Sequence, residues 1–208
     1  MTTSPDHQVF LLSPAFCGGR RAGYLLRPQS TMQLSIKLAA GALTLGEAFS
    51  FMSGLYFRGK LGYAKHFGRH DTPVQVITPT RGLMCPDATV SAALLREFAE
   101  VDVDGADVRY RAPLDRSIRS LATTLENSAR VVLLGSIATG KYVDALSAVL
   151  GAQLHFPSAF VGRGDMSRGG LLLRCIASGV ELEYRALVAQ TIRHGTRPPK
   201  LAPIARTL

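Results

Sequence analysis

Gly135-Ser136-Ile137-Ala138-Thr139-Gly140-Lys141 fits the GxxxxGK spacing of a phosphate-binding turn. It follows an apolar run, 131–134, and opens a helical segment, the setting in which such glycines let backbone N–H groups close around an anion. The next residue, where a Ser or Thr would hold magnesium, is Tyr142. No later strand ends in the aspartate that a metal-holding partner strand needs. The pattern points to contact with a phosphate or a base through Gly135, Ser136, Lys141 and Tyr142, and away from nucleotide triphosphate hydrolysis. Without a ligand, the same residues make a tight strand-to-helix connection.

A second segment, 160–170, carries Gly162, Gly164, Gly169 and Gly170, which let a ligand approach the backbone closely. Arg163 and Arg168 bracket the start of a helix that Asp165 or Ser167 can cap. Free N–H groups and the helix dipole favour an anion there. Arg163, Ser167 and Arg168 are therefore the phosphate-binding candidates of this segment. Asp165 fits a helix cap or an arginine partner first, and a general base second.

A third loop, Ser13-Pro14 through Arg20 and Arg21, follows the first apolar strand. Ligands of open α/β sheets collect beyond the carboxyl ends of the strands. Ser13, Thr78, Gly135 and the residues near Pro157 all follow strands, so one cleft can gather them. A solvated loop accounts for Arg20 and Arg21 equally well. His155, beside Phe156 and Pro157, is either a packed histidine or an acid–base group. His7, His66, His70 and His194 have no partners at ligand spacing, and Cys17, Cys85 and Cys175 lie far apart without CxxC spacing, so no metal site is expected. Neither is a cofactor.

Short apolar strands alternate with helical stretches. Val9 to Leu12, Val74 to Ile77, Val131 to Leu134 and Gln153 to Phe156 read as strands. Val90 to Val101, Asp115 to Leu125, Lys141 to Leu150 and Leu171 to Ala177 read as helices, with Glu181 to Arg193 as the last one. Met32, Leu34, Ile36 and Leu38 alternate with polar residues, which predicts a half-buried strand turning at 39–41 into an edge hairpin. The fold class expected is α/β, with a mainly parallel central sheet flanked by helices and an edge hairpin. One domain, 1–194, and an extended basic tail with prolines, 195–208, make up the chain; the tail could dock a protein partner.

Hydrophobic residues make up 47% of the 208 residues and charged ones 19%, which excludes a disordered chain. No apolar run reaches bilayer length, and 1–7 lacks the layout of a signal peptide, so a cytoplasmic protein is expected. The net charge of +9 rests mostly on arginine, whose fork matches phosphate oxygens. A GC-rich genome, which writes arginine wherever a positive surface charge is tolerated, would give the same balance.

Taken together, Ser13-Pro14-Ala15, Ser53-Gly54-Leu55-Tyr56 and Arg163-Gly164-Asp165-Met166-Ser167-Arg168 occur in the order in which the YaaA-like peroxide-stress family carries similar landmarks. The chain resembles that family over most of its length, the turn from Gly135 to Tyr142 included. Two positions depart from its pattern: the lysine after Ser-Pro-Ala is Phe16, and Asp165 replaces an apolar residue. The resemblance implies an α/β protein that binds DNA and limits oxidative damage in a stress response. Gly135-Ser136, His155-Phe156-Pro157-Ser158 and Arg163-Gly164 also resemble, more distantly, segments of the uracil-DNA-glycosylase-like fold, with Phe156 as an insertion. The expectation is a protein that binds nucleic acid, or a nucleotide or other phosphorylated small molecule. The alternatives are an enzyme processing a nucleobase or nucleoside with Asp165, His155 or Lys141, and a non-catalytic subunit of a larger complex.

Overall fold

The computed structural model describes residues 7–68 and 72–201. His70, residues 1–6 and the end of the tail, 202–208, lie outside them. Strands β1 (Gln8–Leu12), β2 (Val74–Thr78), β3 (Gly82–Met84), β4 (Arg130–Leu134), β5 (Leu154–Pro157) and β6 (Tyr184–Ala186) form one sheet in the order β3-β2-β1-β4-β5-β6. The four inner strands are parallel, and β3 and β6 run antiparallel at the two edges. This is an α/β fold with a mostly parallel sheet, flanked by helices.

Alternation along the inner strands builds two cores. Phe10 and Leu12 of β1, with Val132 and Leu134 of β4, point to one face; Val9, Leu11, Val131 and Leu133 point to the other. All eight are 0% exposed, as expected of strands covered on both faces. The first face is covered by α1 (Arg20–Leu25), α2 (Gln33–Ala39), α3 (Leu45–Ser53), α4 (Leu55–Phe67), α5 (Ala92–Ala99) and α8 (Asp165–Ser178). The second is covered by α6 (Val108–Thr124) and α7 (Gly140–Leu150).

Local signals start these helices. Thr44 and Glu47 close a capping box on α3: Thr44 Oγ1 accepts from the Glu47 N–H (3.2 Å), and Glu47 Oε2 accepts from the Thr44 N–H (3.1 Å). Thr44→Ala is expected to lower the unfolding free energy by about 1 kcal/mol, read from the urea midpoint at unchanged slope. Ser91 caps α5 in the same way, accepting from Leu94 N–H.

Three elements differ from the sequence reading. Residues 33–39 are helical, and the edge hairpin is instead β2–β3. The alternation of Met32, Leu34, Ile36 and Leu38 was misleading, because a seven-residue helix needs few buried positions. Only Ser35 and Leu38 are buried in it, with Ser35 Oγ donating to the Leu25 carbonyl (3.0 Å). Helix α6 begins at Val108, capped by Asp107, and runs through Pro113 to Thr124. The helix expected from Asp115 thus starts seven residues earlier, and Pro113 is tolerated inside it at the loss of one hydrogen bond. Residues 181–193 form no helix: Tyr184–Ala186 pairs with the free edge of β5, and the Tyr184 and Tyr63 hydroxyls share a 2.7 Å hydrogen bond.

Candidate functional site

The strand order reverses direction at β1: the chain moves from β1 to β2 on one side and then to β4 on the other. Loops leaving the carboxyl ends of β1 and β4 diverge there, which opens a crevice in sheets of this type. A cleft of about 860 Å³ occupies that position. The loop after β1 supplies Ser13, Arg20 and Arg21 to it, the turn after β4 supplies Ser136, Lys141 and Tyr142, and α8 supplies Asp165. Sequence segments more than a hundred residues apart are therefore brought together, whereas Thr78 and Pro157, which also follow strands, do not line the cleft.

The floor is built by register. Leu12 of β1 pairs with Leu134 of β4, so Ser13 lies beside Gly135. A Cβ at Gly135 would stand 2.9 Å from Ser13 Cβ and 3.0 Å from the Tyr142 hydroxyl oxygen. Glycine is required here for close approach of its neighbours, not for an unusual φ. Tyr142 donates its hydroxyl to the Ser136 carbonyl (2.8 Å). Burial, against a hydrogen bond with Ser13, pushes this phenol up to about 12, so it stays protonated. The residue standing where a magnesium ligand would be thus closes the turn on itself. Among the described residues no three His, Cys, Asp or Glu side chains are grouped to hold a metal ion.

Behind the cleft wall, in contact with Ser13, lies a residue that the sequence reading did not single out. Lys60, in the middle of α4, is 0% exposed. Its Nζ donates to the Ser13 carbonyl at 2.6 Å and to Ser13 Oγ at 2.8 Å. It also lies 4.5 Å from the Tyr56 ring centroid and 4.8 Å from that of Phe57, where the ring faces attract a cation. Desolvation lowers its pKa to about 7, with Asp165 opposing that shift and Arg168 adding to it. Nothing local marks it: lysines at helical spacing among aromatics are ordinarily solvated at their tips. The one usable signal was a cationic residue within an otherwise apolar helix face.

Arg163 and Arg168 do not act together. Arg168 is 7% exposed; its Nε donates to the Phe160 carbonyl (3.2 Å) and its NH1 pairs with Asp165 (3.2 Å). It therefore braces the base of the cleft. Asp165 is its partner and the first residue of α8, while Gly164 takes the cap position. Arg163 donates to the Ala159 carbonyl and to Ser167 Oγ. Arg163 and Ser167 line a separate groove of about 290 Å³ with Arg174, Arg197 and Lys200. His155 does not line the cleft. It is half-buried in β5, its Nδ1 lies 3.0 Å from the Gln153 carbonyl, and burial lowers its pKa.

Two further features bear on a ligand. The Tyr56 hydroxyl is buried at the cleft wall and makes no regular hydrogen bond, although Arg168 is near enough to interact with it. Asp102 and Asp104 stand on the cleft rim with the cations. Arg20 and Lys141 are exposed, and neither forms an ion pair among the described residues. No helix is long and apolar enough to cross a membrane, within the same residues. No family model, no curated protein and no solved structure matches the chain.

Proposed function

We propose that the cleft beyond β1 and β4 binds a phosphorylated ligand, a nucleotide or a nucleic-acid strand, with Arg20, Arg21 and Lys141 on its phosphate. The observation that carries this reading is the meeting of the two loops at the strand-order reversal, where both bring exposed cations to one cavity. Arg20 and Lys141 hold no carboxylate, so a ligand phosphate would not have to displace one. Asp102 and Asp104 on the same rim suit sugar hydroxyls or base amino groups, which donate to carboxylates. The groove with Arg163, Arg174, Arg197 and Lys200 offers a second phosphate track to a longer strand.

Binding of labelled single-stranded DNA, RNA and nucleotides, measured across a salt series, tests this. Affinity is expected to fall steeply as salt rises, because each phosphate contact releases a counterion. Arg20→Ala, Arg21→Ala and Lys141→Ala combined should flatten the slope of log K against log salt by about 2, close to 0.7 for each lost contact on a single strand. Absence of binding at low salt, or an unchanged slope in the triple variant, would overturn the proposal.

A further inference from the structure

Ser13 and Lys60 have the residue types, and the contact, of a nucleophile and its base. We propose that Ser13 is a nucleophile, with Lys60 as its general base, that cleaves a phosphate ester seated in the cleft. The phosphate-ester class rests on the reading of the cleft as a phosphate site; the nucleophile itself rests on the geometry of the two residues.

Ser13 lines the cleft, and its backbone is held by donation of its N–H to the Leu134 carbonyl (3.2 Å). A lysine that served only to satisfy the strand end would need the Ser13 carbonyl alone. Lys60 Nζ also sits 2.8 Å from the side-chain oxygen, within the range for proton transfer. No carboxylate forms an ion pair with it among the described residues. The titratable and charged groups that face it are Tyr56 of its own helix and Asp165 and Arg168 of α8, while Tyr142 of α7 reaches Ser13 from the other side. Burial brings its pKa down to about 7, so a large share of the amine is neutral at that pH. In that form its lone pair accepts the Ser13 hydroxyl proton, while one N–H stays on the Ser13 carbonyl.

The step balances with these groups and water. Ser13 Oγ bonds to phosphorus as its proton passes to Lys60, and the bond from phosphorus to the leaving oxygen breaks. The leaving alkoxide takes a proton from a water molecule at the open mouth of the cleft. The hydroxide so made attacks the phosphoserine, the Oγ–P bond breaks, and Ser13 takes its proton back from the Lys60 ammonium. Arg20, Arg21 and Lys141 are placed to stabilise the charge that grows on the phosphoryl oxygens.

A fluorophosphonate probe reads the first half of this reaction, since Ser13 Oγ would bond to phosphorus and release fluoride. One adduct is expected, mapped to Ser13 by peptide mass and absent from Ser13→Ala. Its rate should rise about tenfold between pH 6 and pH 8, as Lys60 loses its proton. Lys60→Met, with circular dichroism confirming the fold, should label at least about 100-fold more slowly. If that variant does not fold, the wild-type pH profile decides. No adduct on Ser13, a rate flat over that range, or undiminished labelling of folded Lys60→Met would overturn the dyad. Cleavage of bis(p-nitrophenyl) phosphate and of p-nitrophenyl acetate, compared on the wild type, separates the two readings. Turnover of the phosphate ester supports both. A labelled Ser13 with turnover of the acetate alone overturns the substrate class and the phosphate site, and leaves the nucleophile. Nucleotide binding by Ser13→Ala without labelling of the wild type keeps the phosphate site and removes the nucleophile.

Discussion

Gly169→Val is expected to destabilise the protein by about 3 kcal/mol or more and to loosen the cleft at the same time. Helices α4 and α8 meet backbone to backbone. A Cβ at Gly169 would lie 2.9 Å from the Leu55 carbonyl oxygen and 2.9 Å from Tyr56 Cα, while one at Gly59 would lie 2.9 Å from the Gly169 carbonyl oxygen. Extra atoms in a packed interior ordinarily cost about 1–3 kcal/mol, because side chains shift rotamer to make room. Here the obstacles are backbone atoms, so the helices themselves must separate. The same two helices carry Tyr56 and Lys60 on one side and Asp165 and Arg168 on the other. Gly169→Ala should show the smaller version, about 2 kcal/mol. Urea unfolding of both variants checks this, and a wild-type midpoint for Gly169→Ala would mean that the contact is not needed.

The second large effect lies in the pH dependence of stability. Between pH 7 and pH 9 Lys60 is expected to add about 2–3 kcal/mol to the stability of the wild type. In the unfolded chain Lys60 keeps its proton up to about 10.4. In the folded chain burial removes it at about 7. Over the interval the unfolded state binds more protons, so stability rises with pH, by about 1.4 kcal/mol per unit at most. Below about pH 6 both states are protonated and this contribution is flat. From about pH 8 upward buried Cys17 works in the opposite direction and offsets part of this gain, since desolvation raises its thiol to about 12 and the unfolded thiol ionises first. Denaturant midpoints at pH 7, 8 and 9 measure the slope, and folded Lys60→Met should remove most of it. A flat wild-type profile would mean that Lys60 keeps its charge inside, which would also remove the base from the proposed dyad.

The resemblance to YaaA-like proteins remains a proposal about DNA binding and stress, and the salt series addresses its binding half. The residues that carry the resemblance divide: Ser13, Ser53, Tyr56, Tyr142 and Asp165 line the cleft, and the two arginines do not. Arg168 braces the fold, and Arg163 faces a different groove. Ser13, which both lines of reading named, is the residue that Lys60 contacts at 2.8 Å and the proposed nucleophile.

What the sequence determined by itself was whatever depends on a local period or on position after a strand. Val9 to Leu12, Val74 to Ile77 and Val131 to Leu134 are strands because β-rich apolar runs of that length, bounded by turn residues, have few other ways to be buried on both sides. The helices α5 and α7 follow from apolar residues at helical spacing with a signal at the start. Given a parallel sheet, Ser13 and the turn from Gly135 to Tyr142 had to lie at the same edge. The tertiary structure decided what depends on partners distant in the chain. Residues 33–39 are helical because Leu38 and Ser35 find cover there, and Tyr184–Ala186 is a strand because β5 had a free edge. The cleft reached its present form in the same way. A lysine at position 60 is an ordinary cation until packing of α4 against β1 strips its water and sets it on Ser13, 47 residues away. Burial is a property of the assembled core, so no local window of the sequence contains it.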